Sequence, residues 1–330
     1  MNFEKSNQGG ENDSTRAQLR EKVEQVALEA LIVNYAEKIN EGNNGIIMGF
    51  NIDKIPSDLK KIMIESHMLS EEKEDDAVVK LLKLSEPGKL QLEYELQKKA
   101  FEIVENGMRN EPQAYAAIPR PRAFRVLNVS GTLQNFMKDN EITLKEGRLE
   151  LMLMDCVKGE DLDTIMMREY LLRHPASPFH DKPEMMEGWS FFELREEAAE
   201  IGGFRIDFEK GERNFNNQEW RDYTRFRTTR DADLERLGFR IDSRLIDSVL
   251  HASDQIYSQA DIVWGDGNLR NVMLEGSYAP SERRGEPLRG KAWMIDFGSA
   301  RDVEALKQPA KAKQDATKTI EKTNARFGTI

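Results

Sequence analysis

Asp266 and Asn271 stand five residues apart in the stretch Asp-Ile-Val-Trp-Gly-Asp-Gly-Asn-Leu-Arg-Asn-Val-Met-Leu-Glu-Gly (261–276), and Asp296 opens an Asp-Phe-Gly triplet at the end of a later apolar run. Carboxylate and amide oxygens are hard donors, suited to Mg2+ and to the phosphate oxygens it carries. An acid on a loop can also take the proton of an attacking hydroxyl. Together they suggest phosphoryl transfer, with Asp266 as base and Asn271 and Asp296 as metal ligands. Each piece alone is weak, because a strand that ends in an acid is common. Their order along the chain gives them weight.

A site for phosphates needs further parts. Glycine lets backbone N–H groups close over phosphate oxygens, and residues 40–47 read Asn40-Glu41-Gly42-Asn43-Asn44-Gly45-Ile46-Ile47. Asn40 stands in for a first glycine, since Asn tolerates positive φ; an ordinary hairpin turn explains the same residues. Lys80 closes the run Ala-Val-Val-Lys (77–80). A lysine inside a β-branched run needs an anionic partner, because an unpaired buried ammonium is costly. Glu93 and Glu95 on the next helix lie on different faces, so one of them can serve and the other is solvated. Spacing leaves both open. The apolar run Met152-Leu153-Met154 continues into Asp155-Cys156-Val157, then Gly159 and Asp161-Leu162.

In this order, from about residue 35 to about residue 300, these parts resemble the protein-kinase-like superfamily. The resemblance implies an α+β, two-lobed fold with a long insertion after the hinge and an incomplete C-terminal lobe. It implies that Asn40, Gly42, Gly45 and Ile47 cover the phosphates of ATP and that Glu93 holds Lys80 against them. Glu93 begins the pattern Glu-x-x-x-x-Lys-Lys, which resembles the corresponding helix of the family and selects it over Glu95. Met154 would back the adenine, the backbone of Asp155 and Val157 would bond its edge, and Asp161 would bond the ribose. Asp266 would be the catalytic base, with Mg2+ on Asn271 and Asp296. The acceptor would be a hydroxyl of a protein or a small molecule. The sequence departs from the family at Trp264, where the family has His; the Trp-Gly-Asp form with Gly265 looks closer to atypical or small-molecule kinases, Asn268 stands where serine/threonine kinases carry Lys, and Arg270 resembles the tyrosine-kinase or small-molecule-kinase form. A pseudokinase, a nucleotide-binding scaffold that does little chemistry, stays open as the second reading.

The net charge of −11 argues against general nucleic-acid or anionic-membrane binding. Cys156 is the single cysteine, so no internal disulfide can form, and a reducing compartment, cytoplasmic or nuclear, is expected. Charged residues make up 32% of the chain, so much of it should be solvated.

The elements that must position these groups follow from periodicity. Residues 1–15 read as disordered, and 16–154 as an N-lobe that begins with a helix at 16–38, its face formed by Leu19, Val23, Val26 and Ala30. Residues 56–76 read as a solvated acidic insertion. A strand at 77–84, a helix at 86–108 and a strand at 148–157 follow. Residues 155–298 read as hinge and partial C-lobe, holding the irregular insertion 163–235, a helix at 241–259 and a strand at 292–298. The string Gly-Phe-Arg-Ile-Asp occurs at 203–207 and again at 238–242, an echo more in keeping with chance than with a repeat. The last 32 residues, 299–330, read as a mobile, activation-segment-like tail with exposed Thr317, Thr319 and Thr323, which leaves room for a partner chain to complete the lobe.

Overall fold

The computed structural model describes residues 9–41, 45–50, 52–66, 68–69, 77–112, 114–144, 147–208, 214–276 and 286–329. The chain divides into two compact units, one formed by residues up to Tyr94 with Arg120–Cys156, the other by Glu95–Pro119 with Val157–Ile330. Gly42 lies outside the described residues, as does the whole of the 70–76 acidic run.

The first unit runs α1 (Gly9–Tyr35), β1 (Ala36–Glu41), β2 (Gly45–Phe50), α2 (Ser57–Glu65), β3 (Ala77–Leu82), β4 (Leu84–Ser85), the start of α3 (Lys89–Asn110), β5 (Pro121–Asn128), α4 (Gly131–Asp139), β6 (Thr143–Leu144) and β7 (Arg148–Asp155). Five of these strands form an antiparallel sheet in the order β1-β2-β3-β7-β5, and β4 pairs with β6 in parallel. All six residues of β3 are buried. Side chains alternate across a strand, so Ala77, Val79 and Leu81 join the cluster holding Leu28, Leu31, Ile32 and Leu133, while Leu82 joins Met152, Leu90, Tyr94 and Phe124 on the opposite face.

Two expectations for this unit are overturned. The helix α1 begins at Gly9, within the stretch read as disordered, and its buried stripe is Ala27, Leu28, Leu31 and Ile32; Leu19, Val23 and Val26 are exposed. Both stripes have helical spacing, and the denser run of Leu and Ile takes the core. The 56–76 insertion is partly structural, because α2 and the turn after it bury Met63, Met68 and Leu69.

The second unit holds the rest of α3, then β8 (Gly159–Asp161), α5 (Leu162–Arg173), α6 (Phe191–Ile201), α7 (Asn217–Arg236), β9 (Ile241–Asp242), α8 (Ser243–Ala260), β10 (Ile262–Val263), β11 (Val272–Glu275), β12 (Ala292–Met294), β13 (Arg301–Asp302), α9 (Pro309–Phe327) and β14 (Gly328–Thr329). The sheet pairings are β12-β11-β8, β10-β13 and β14-β9.

Within 163–235 the described residues include the helices α5, α6 and α7, so the segment is not irregular throughout. Its charges hid the pattern because several are core residues. Arg230, 0% exposed, pairs with Asp163 at 2.7 Å and Asp231 at 2.8 Å. The Arg195 guanidinium lies 4.3 Å from the Phe208 ring centre and 4.5 Å from that of Tyr223. The start signals were present: Ser190 with Glu193 and Asn216 with Glu219 form capping boxes. The repeated Gly-Phe-Arg-Ile-Asp also has a local cause. Gly203 and Gly238 take φ of 80° and 77° just after α6 and α7, and the next amides, of Phe204 and Phe239, donate back to the carbonyls of Ala199 and Leu234. Each copy is a helix C-cap, for which glycine supplies the left-handed residue.

The tail is corrected as well. Residues 309–327 form α9, whose buried face is Ala316, Thr317, Ile320, Thr323 and Phe327. Thr317 and Thr323 are buried, not exposed, and Lys313 pairs with Asp254 at 2.5 Å. Small and hydroxylated residues at helical spacing make an adequate packing face, although they read as polar.

Candidate functional site

In the first unit, Lys80 on β3 lies directly across from Met152 of β7, on the sheet face that α3 covers. Its Nζ is 2.5 Å from Glu93 Oε1, with both residues buried. Glu93 follows Leu90 by three residues, so the helix turn that packs Leu90 on the sheet also aims Glu93 inward. Glu95 is exposed. Ile47 lies across from Lys80 on β2, and the backbone of Asn40 pairs with Ile47. Gly45 has a packing cause: a Cβ there would come within 2.8 Å of the Leu81 carbonyl oxygen. At the end of β7 Met154 is half-buried, and Asp155 accepts from Arg122 at 2.5 Å, with Arg120 3.6 Å away. The Asp155 amide donates to the Arg120 carbonyl at 3.0 Å.

In the second unit, α8 ends in β10, and β10 delivers Trp264 and the Gly265-Asp266-Gly267 turn. Asn268 accepts from the Arg270 amide and starts the tight turn Leu269–Asn271 that returns the chain into β11. Asn271, 9% exposed, donates its Nδ2–H to the Asp266 carbonyl at 2.9 Å. The Asn271 carbonyl in turn accepts from the Ile295 amide at 2.9 Å, and the Trp264 indole N–H donates to the Ile295 carbonyl at 3.3 Å. The residue before Asp296 is thus held from both sides. Asp296 itself takes φ 56°, a left-handed conformation that Asp tolerates, and accepts from the Gly298 amide at 3.2 Å. Burial raises the Asp266 carboxyl above the usual carboxylate range, the nearby Asp296 charge adds to the rise, and the Asn268 amide, Asn271 and Arg270 oppose it.

Both glycines beside Asp266 answer to close approaches. A Cβ on Gly265 would overlap the Ser299 carbonyl, and a Cβ on Gly267 would overlap the Ala316 carbonyl of α9. The loop therefore lies with its backbone against the chain after Asp296 on one side and against α9 on the other. The sequence pointed to Trp264 only as a departure; here its N–H provides the brace.

Asp161 is the N-cap of α5: its two oxygens accept from the Thr164 amide at 2.9 Å and the Thr164 hydroxyl at 2.6 Å. Burial raises it to about 6 against those hydrogen bonds. The cap signal was readable in Asp-Leu-Asp-Thr, an acid ahead of an apolar helical run. Val157 is half-buried at the start of the second unit, and Cys156 is half-buried at the end of the first. Among the described residues, no three His, Cys, Asp or Glu side chains cluster as a metal site, and no helix is long and apolar enough to cross a membrane.

No protein-family model matches the chain, and no curated protein matches it. Among solved structures, vaccinia related kinase 3 is similar, with a TM-score of 0.34 and 10% identity, over 84% of this chain and 57% of that one. The chain spans less than two thirds of that structure's length, and a likeness this low leaves the functional reading to the residues themselves.

Proposed function

We propose that this chain is a protein-kinase-like phosphotransferase that moves the terminal phosphoryl group of ATP to a hydroxyl, on a protein or a small molecule, with Mg2+. The observation that carries the reading is the fastening of Asp266, Asn271 and Asp296 in one network of backbone contacts, with the two carboxylates close enough for Asp296 to raise Asp266. Two like charges held together gain most from a divalent cation. The donor set fits Mg2+, which takes one or two protein oxygens and completes its shell with phosphate and water. Asn271 commits its amide N–H to Asp266, so Oδ1 is the end left for ligation. When bound, Mg2+ neutralises charge on the phosphates.

The chain's own residues have separate tasks. Asp266 takes the proton of the acceptor hydroxyl. Asn271 and Asp296 present oxygens to the metal, and the Trp264 contact to Ile295 keeps Asp296 in place. In the other unit, Lys80 offers a cation to the phosphates, and Glu93 fixes its direction. The test is thermal stabilisation by ATP with and without Mg2+, paired with a phosphoryl-transfer assay on the wild-type chain. A nucleotide present at 100 times its Kd should add about 2.7 kcal/mol of apparent stability. Absence of any Mg2+-dependent stabilisation would refute the proposal. Stabilisation without transfer to any acceptor would favour a nucleotide-binding scaffold.

A further inference from the structure

The sheet face that carries Lys80 also carries a buried carboxylate with no part in the reading above. Lys80 pairs with Met152, and Glu150 lies two residues before Met152 on β7, so the pleat points all three the same way. Glu150 is 6% exposed. It lies beneath the start of α3: its Oε1 accepts from the Gly88 amide at 2.5 Å and its Oε2 from the Leu90 amide at 3.2 Å. The first amides of a helix have no partner within the helix, and a negative charge there is favoured by the helix dipole. The first turn of α3 supplies no acid of its own, and Gly88 has no side chain to cap with. The carboxylate comes from the strand below instead.

The helix α3 thus meets the sheet at two charged points of opposite sign. Glu150 of the sheet holds the helix backbone at Gly88 and Leu90, and Glu93 of the helix holds Lys80 of the sheet. Leu90, Tyr94, Met152 and Phe124 fill the space beside them. Leu90 and Glu93 share one helix face, so a rotation of α3 by one residue, about 100°, would withdraw both contacts. We infer that Glu150 is a positioning residue that sets the rotation of α3 and so keeps Glu93 on Lys80. The inference rests on the proposal that this ion pair serves phosphate binding, yet it can be tested without nucleotide.

The measurement is acetylation of lysines in the full chain at pH 7 by an amine-directed reagent, resolved residue by residue by mass spectrometry. Glu93→Gln sets the scale: Lys80 loses its counter-charge, the neutral amine is the reactive form, and labelling rises roughly tenfold. Glu150→Ala should raise Lys80 labelling by most of that factor and leave the exposed Lys98 and Lys99 of α3 unchanged. Ser130→Ala, which removes the cap of α4 in the same unit, controls for general loosening and should leave Lys80 as in the wild type. Glu150→Gln keeps an acceptor without the charge and should fall between; if the alanine variant does not fold, the same comparison is read on it. Wild-type labelling of Lys80 in the Glu150 variants, or an equal rise in Ser130→Ala, would overturn the inference. Failure of the wild type to bind ATP would remove the proposed function and leave the labelling result standing, so the two fail separately.

Discussion

The Lys80–Glu93 pair can be tested in a way that separates its structural cost from its use. The side chains are 11% and 6% exposed, so water cannot replace either partner. Removing one charge from a buried pair leaves the other uncompensated, which costs about 3–5 kcal/mol. That is a large share of the roughly 5–15 kcal/mol that stabilises a domain. Lys80→Met alone and Glu93→Gln alone should each lose that much. The double variant Lys80→Met/Glu93→Gln removes both charges and should return most of the loss, giving a coupling larger than either single loss. Nucleotide binding should behave oppositely, because neither Lys80→Met nor the double variant has a cation to offer the phosphates. The assay is hydrogen exchange of the β3 and α3 amides, which reports the local stability of this unit, alongside titration with ATP and Mg2+. A double variant that loses the sum of the two single losses would show that the two charges do not compensate each other. A double variant that binds Mg2+-ATP like the wild type would show that Lys80 is not a phosphate ligand.

Asp266→Asn should lower transfer by roughly 10²–10⁴-fold, the usual worth of a general base, and spare nucleotide binding; full transfer in this variant would end the assignment. The folded-state carboxyl of Asp266 is raised, so its contribution to stability is present in acid and is lost as pH rises through the folded value. The same variant should therefore be more stable than the wild type at pH 7 and no different at pH 3, checked by urea unfolding at both. Asp161, raised to about 6 from 3.8, follows the same sign. Asp161→Asn keeps the cap acceptor and should gain up to about 3 kcal/mol above pH 6 with nothing gained below pH 4; absence of that gain would show that burial does not penalise the Asp161 charge. For α9, Ile320 is 0% exposed, so Ile320→Ala should cost about 2–5 kcal/mol, and amides of 316–327 should be protected in the wild type. Exchange there near the unfolded rate would show that the helix is not docked.

What the sequence discloses depends on whether a residue's neighbours in the chain are also its neighbours in space. Lys80 needed an acid and α3 follows directly, so the sequence narrowed the partner to Glu93 or Glu95, and the resemblance of the lysine pair after Glu93 selected it. Asp266, Asn271 and Asp296 flank short strands whose apolar runs are plain, so their order was readable. Glu150 was not, because an acid within Leu-Glu-Leu-Met-Leu-Met looks like the solvent side of a strand; its partner amides lie 60 residues and more away. Asp163, Arg195 and Arg230 misled in the same manner, since charges that satisfy each other in the interior count as surface in any hydropathy pattern. In α1 the periodicity was right and the stripe was wrong, because spacing cannot tell which of two apolar stripes another element will cover.

The form Trp-Gly-Asp-Gly follows from this packing. A histidine ring in place of Trp264 is shorter, while here the indole N–H spans to the Ile295 carbonyl from a fully buried position. With the brace made by the side chain of residue 264, the two residues around Asp266 are free to lose theirs. They must lose them, because Ser299 and Ala316 bring their carbonyl oxygens against Gly265 and Gly267. Asp266 is then the one long side chain on the turn, held by backbone on two sides with its own carbonyl tied to Asn271. Rigid placement of a base supplies much of what phosphoryl transfer asks of a protein. In this chain α9 provides part of that rigidity, so the segment that looked most like a loose tail is one wall of the candidate site.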